Sequence, residues 1–175
     1  MTILKKISIA ALAGVAMSAA AFAADPVTNY ASDPSAAYAT SGFNWDGFYV
    51  GLNTGYVNTG TAEWAVGGVT GLNIQDGALV YGAELEVNAL VASGAFTGAM
   101  SQASARAGYL VSDDMLVYGV GGGGFDKGAG IGLVGAGMEF ALTQEVTLGA
   151  EYNYLFNSGG GLGHEIDGKV RWYFN

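Results

Sequence analysis

The last eight residues, Gly168-Lys169-Val170-Arg171-Trp172-Tyr173-Phe174-Asn175, alternate charge with bulk. Lys169 and Arg171 fall on one parity; Val170, Trp172 and Phe174 fall on the other. Successive side chains of an extended strand point to opposite faces. One face of this strand therefore carries two cations, and the other is apolar and aromatic. Upstream, Ile166 continues the apolar face and Asp167 the charged one.

The same division recurs back to Asp46. Period-2 stretches separated by turn signals predict eight strands, at about 46–57, 62–74, 78–89, 98–111, 114–124, 130–142, 145–156 and 164–174. In the third, Leu79, Tyr81, Ala83, Leu85 and Val87 oppose Val80, Gly82, Glu84, Glu86 and Asn88. In the fourth, Ala103, Ala105, Ala107, Tyr109 and Val111 oppose Gln102, Ser104, Arg106 and Gly108. In the seventh, Val146, Leu148, Ala150, Tyr152, Tyr154 and Phe156 oppose Thr147, Gly149, Glu151 and Asn153. The sixth sets Val134, Ala136, Met138 and Phe140 against Glu139. The fifth is too rich in glycine to assign by parity.

A soluble sandwich turns its apolar face inward and covers its outer face with charge. Here charged residues are only 12% of the chain, about half the usual share. The polar parity is rich in Gly, Ser and Asn, which suits a crowded interior. The strand lengths match those that cross a bilayer, about 9–11 residues. Aromatics on the apolar parity cluster at both strand ends: Phe48, Tyr81, Tyr109, Phe140, Trp172 and Phe174 at one, Tyr56, Trp64, Tyr154 and Phe156 at the other. Two aromatic girdles around an apolar band are the mark of a membrane barrel. Backbone polar groups cannot stay unpaired in lipid, so the sheet must close. The expected fold is all-β, an eight-stranded antiparallel up-and-down transmembrane β-barrel. Tight polar turns are expected after strands two, four and six, and mostly longer Gly/Asn/Ser-rich loops after one, three, five and seven.

Lys5 and Lys6, an apolar stretch from Ile7 to about Ala21, and Ala21-Phe22-Ala23 form a secretory signal pattern. The organisation expected is a signal peptide over 1–23 cleaved after Ala23, a flexible periplasmic lead-in over 24–44 holding both prolines, and the barrel over 45–175. The net charge of −9 argues against nucleic-acid binding. With no cysteine, disulfides and Cys-based metal sites are excluded.

Several motifs resemble the small eight-stranded outer-membrane β-barrels of Gram-negative bacteria, a porin-like, OmpA/OmpX-type family. They are Trp45-Asp46-Gly47-Phe48-Tyr49-Val50-Gly51, Ala105-Arg106-Ala107-Gly108-Tyr109, Leu116-Val117-Tyr118-Gly119-Val120-Gly121-Gly122 and Val146 to Tyr154, in the family's order. Members usually end on an aromatic, whereas this chain places Asn175 after Phe174. The resemblance implies an outer-membrane location, contact with outer-membrane lipids, and insertion by the barrel assembly machinery.

An eight-stranded barrel is just wide enough for side chains to fill it. The expected lumen residues are Glu84, Glu86, Arg106, Glu139, Glu151, Asp167, Lys169 and Arg171. Opposite charges on neighbouring strands predict pairs of Arg106 with Glu84 and Glu86, and of Glu151 with Lys169 and Arg171. Buried charges need partners, so the expected role is a monomeric structural protein of the envelope whose lumen is plugged by this network. A narrow, low-conductance channel lined by the same charges is the alternative. The one histidine, His164, is near Ser158 and Glu165, but proximity in sequence does not supply the geometry of a nucleophile and its base, and it reads as a surface loop histidine. Asp113, Asp114 and Asp126 lack calcium-loop spacing and read as solvated turn acids. Gly121 to Gly124 lack the Lys-Ser/Thr of a phosphate loop. No enzyme activity, metal or cofactor is expected.

Overall fold

The computed structural model describes residues 42–174. The signal pattern, the cleavage site after Ala23, most of the lead-in and Asn175 lie outside the described residues. Eight strands follow one another: β1 Gly47–Asn58, β2 Ala62–Asp76, β3 Leu79–Ala92, β4 Ala95–Ser112, β5 Met115–Asp126, β6 Ala129–Ala141, β7 Val146–Asn157 and β8 Gly160–Phe174. Each pairs antiparallel with its sequence neighbours, and β8 returns to β1, closing the barrel. Among the described residues no helix is long and apolar enough to cross a membrane. The crossing element is the strand.

The parity read from the sequence is the parity of the two faces. Phe48, Tyr56, Trp64, Tyr81, Tyr109, Phe140, Tyr154, Phe156, Trp172 and Phe174 are all exposed on the outside. The register groups them into two belts. Phe48 lies opposite Phe174 and Val50 opposite Trp172 at the end where β1 begins and β8 finishes, here the terminal end. Tyr56 lies opposite Trp64 and Val134 opposite Tyr154 at the far end. Leu52 and Leu85 lie in the band between them. In β5, which parity left open, Leu116, Tyr118 and Val120 face inward and Val117 outward.

The unequal turns are not found. The strands run further than their sequence patterns, and the long loops contract. Leu90 to Thr97, expected as a loop, is mostly strand closed by Ser93-Gly94; Phe125 to Ala129 is closed by Lys127-Gly128. Ser93 and Lys127 have φ of 50° and 51°, and Gly94 and Gly128 have 76° and 87°. Positive φ at both central residues makes these two-residue turns, whose twist matches that of the flanking strands. Asn157 to Gly163 is likewise mostly strand, closed at Ser158-Gly159. The longest turn, Leu142–Glu145, sits instead at the terminal end, where a tight one was expected. Thr143 Oγ1 organises it by accepting bonds from the backbone of Glu145 and Val146. Gly94→Val should therefore destabilise the barrel by about 1–2 kcal/mol, the cost of a left-handed residue with a Cβ. An unchanged denaturant midpoint in micelles would show that the turn tolerates another geometry.

Before β1, Phe43 and Trp45 are buried in the terminal mouth of the barrel. Their rings meet edge-on at 4.8 Å, and both meet Tyr173, at 5.0 and 6.3 Å. Trp45 Nε1 donates to the carbonyl of Asp113, and the Phe43 amide donates to Asp114 Oδ1. Asp114, read from the sequence as a solvated turn acid, thus accepts a bond that holds this aromatic cap. Asp126 accepts one from Thr59 Oγ1 across the opposite end.

Candidate functional site: the polar lumen

Inward-facing side chains of eight strands converge on a narrow interior. Glycine on several strands makes the room. A Cβ added to Gly71 would come within 2.6 Å of the Tyr49 ring, and one on Gly137 equally close to Tyr118. The hydroxyl ends of the two tyrosines therefore pack against glycine backbones, where they reach lumen carboxylates. Tyr49 Oη donates to Glu84 Oε2 at 2.7 Å, and Tyr118 Oη to Glu151 Oε2 at 2.9 Å.

All eight expected lumen residues, Glu84, Glu86, Arg106, Glu139, Glu151, Asp167, Lys169 and Arg171, are buried. Of the neighbour-strand pairs expected, Glu151 with Lys169 forms at 3.1 Å, while Arg106 with Glu86 and Glu151 with Arg171 are not among the ion pairs of the described residues. Arg106 reaches Glu84 only at 4.0 Å; its short partner is Glu139, at 2.9 Å. Lys169 Nζ binds Glu84 at 2.8 Å, Glu86 at 2.7 Å and Glu151 at 3.1 Å. Arg171 bridges Glu84 at 2.8 Å and Glu139 at 3.1 Å. The register gives the reason. Arg106 lies opposite Gly82, with no acid directly across the ladder. Long basic side chains span a barrel this narrow, so they find carboxylates across the lumen as readily as beside them.

Neutral groups complete the terminal half. The Tyr173 hydroxyl donates to Glu139 Oε1 and accepts from Asn73 Nδ2 and Arg106 Nη2. Thr147 Oγ1 also donates to Glu139 Oε1. The Arg106 guanidinium lies between the Tyr49 and Tyr118 rings, 5.1 and 4.9 Å from their centroids. Such stacking is favourable and strengthens as water is excluded.

In the far half the sequence reading set Asn88, Gln102 and Asn153 on the polar parity but assigned neither Glu63 nor Glu165. Glu63, Glu165, Asn53, Asn88, Gln102 and Asn153 are all buried there. Glu165 accepts from Gln102 Nε2 at 2.9 Å and Asn153 Nδ2 at 3.3 Å. Glu86 Oε1 accepts from Asn53 at 2.7 Å and Asn88 at 2.6 Å. Glu63 pairs with half-exposed Lys127 at 2.6 Å. Parity held the signal, since Glu165 shares the face of Asp167, Lys169 and Arg171. Beyond this layer Val57, Leu90, Met100 and Leu155 are buried near the far end.

His164 lies outside the lumen, on the exposed face of β8. Its Nδ1 is 2.6 Å from the Tyr152 hydroxyl, and its ring lies 5.8 and 5.6 Å from those of Tyr152 and Tyr154. Among the described residues no serine or carboxylate is bonded to it.

No family model and no curated protein matches the sequence. Solved structures do. The N-terminal β-barrel domain of Pseudomonas aeruginosa OprF is similar over 77% of this chain and 100% of its own, at 12% identity and a TM-score of 0.52. A de novo designed transmembrane β-barrel is similar over 76% of this chain and 99% of its own, at 14% identity and a TM-score of 0.50. The fold is that of an eight-stranded transmembrane β-barrel.

Proposed function

We propose that this transmembrane β-barrel is a structural protein of the bacterial outer membrane, supporting envelope integrity, with its lumen plugged by a charged network. The observation that carries the plug is the convergence of Glu84, Glu139, Lys169 and Arg171 in one ion-paired cluster, each at most 5% exposed. Phe43, Trp45 and Tyr173 support it at the terminal mouth, as do Val57, Leu90, Met100 and Leu155 at the far end. An ion path needs continuous water, and these buried side chains occupy both ends of the lumen.

The outer-membrane placement rests on the export signal, the aromatic belts and the family-like motifs. It brings with it outer-membrane lipids as the surrounding solvent and the barrel assembly machinery as the partner during insertion, with the barrel acting as a monomer. A role in catalysis has no support, because the histidine faces outward beside two tyrosines. The turns are too short to wall a substrate cleft.

The test is single-channel recording of the refolded chain in a planar bilayer, after a heat-dependent gel shift has established closure. The expected result is silence. Steady discrete openings that grow on Arg106→Ala would overturn the plug and favour the low-conductance channel.

A further inference from the structure

We propose that the lumen carries a binding site for one hard divalent cation of the calcium class, formed by Glu86, Glu165 and Asp167. One carboxylate oxygen from each of the three lies within 4.8 Å of the other two. Glu86 comes from β3 and the other two from β8, with β1 and β2 between them in the ring. They meet because the intervening strands present glycine at this level. Gly55 lies opposite Asp167, and a Cβ there would collide with Asp167 Oδ1. Gly67 lies opposite Asn88, and a Cβ there would collide with Asn88 Oδ1.

The second observation is that three carboxylate oxygens of this cluster lack partners, both of Asp167 and one of Glu165. Asp167 is 2% exposed and Glu165 fully buried. No donor reaches either carboxylate oxygen of Asp167, or Glu165 Oε1. The bases of the lumen are committed elsewhere: Arg106 to Glu139, Arg171 to Glu84 and Glu139, and Lys169 to Glu84, Glu86 and Glu151. Among the described residues seven acids are buried against three bases, with Lys127 at the rim serving only Glu63. The amide oxygens of Asn53 and Asn153 also lack donors, while their nitrogens bond Glu86 and Glu165. This half of the lumen is rich in acceptors and short of positive charge.

Unpaired carboxylates in a dry interior cost several kcal/mol each, and their mutual repulsion adds to that. A cation removes both costs. The donor set is all oxygen, which selects a hard ion. Calcium takes six to eight oxygens at about 2.3–2.6 Å, so opposed ligands stand about 5 Å apart. Magnesium demands about 2.1 Å and a tighter octahedron. The three carboxylates lie within the spread of a calcium shell, and water supplies the further ligands. A plugged lumen and a conducting one present the same three carboxylates, so the site stands apart from the proposed role.

The test refolds the full chain in zwitterionic micelles with calcium chloride, or with a chelator at matched ionic strength. After desalting, calcium per folded barrel and the thermal unfolding midpoint are measured. The expected result is about one retained calcium per barrel and a higher midpoint. Asp167→Asn should abolish both effects, and Glu165→Gln serves if that variant fails to fold. Asp76→Asn, an exposed carboxylate at a turn, should change neither. Calcium no higher than the micelle blank would overturn the site and leave a proton shared between Glu165 and Asp167 as the neutralising device. Equal retention by wild type and Asp167→Asn would place the ion on surface carboxylates and overturn it as well.

Discussion

Lys169→Met should lower the stability of the folded barrel by about 3–5 kcal/mol, the cost of removing one partner from a buried ion pair. Lys169 Nζ sits within 3.1 Å of three carboxylates, on Glu84, Glu86 and Glu151. Glu84 keeps Arg171 when the lysine is lost. Glu86 and Glu151 keep no cation at all, because their ion pairs are with Lys169. Methionine preserves most of the apolar stem, so the change isolates the charge. The measurement is urea unfolding in micelles, followed by the heat-dependent gel shift. Lys169→Arg should recover part of the loss, since a guanidinium can still reach two of the acids. A loss below about 1 kcal/mol would mean that the carboxylates are neutralised by something other than this lysine.

The second large effect is on the outside. Leu52→Arg should cost about 2–4 kcal/mol, the price of a cation on the lipid face near the midplane. Leu52 is 64% exposed and lies midway along β1 between Phe48 and Tyr56, one from each aromatic belt. In water such a residue would be indifferent to a charge. Leu52→Ala should cost far less, because lipid still covers the site. The measurement is reversible unfolding into bilayer vesicles. An arginine tolerated at Leu52 would show that this face meets something wetter than hydrocarbon, and the membrane reading would fail there.

Much of the fold was legible because a strand has a period of two and lipid inverts the usual assignment of faces. Trp172 and Phe174 on one parity, with Lys169 and Arg171 on the other, carry the decision between sandwich and membrane barrel. The eight strands were found in order, and every residue assigned to the aromatic belts faces outward. Turn lengths were not legible in the same way. Ser93-Gly94 and Lys127-Gly128 close their hairpins with positive φ at both positions, which lets strands run into stretches that composition alone marks as loop. Phe43 shows another limit. It lies in a stretch that reads as linker, and it is buried because a barrel mouth needs a cap.

Outside glycine-rich β5, parity was enough to sort most inward side chains from outward ones, because it depends only on the local backbone. The sequence by itself also determined that the lumen is acidic, since composition and parity together count the charges. Only the tertiary structure decided who binds whom. Closure of the ring brings β3 across from β8, so Glu84 and Glu86 meet Lys169, more than eighty residues away, while Arg106 turns from its neighbours to Glu139. The same closure sets Asp167 beside Glu165 and Glu86 and leaves both Asp167 oxygens without a donor. Partner choice in a narrow barrel depends on side-chain reach across the lumen and on where glycine leaves space, and neither quantity exists until the sheet has closed.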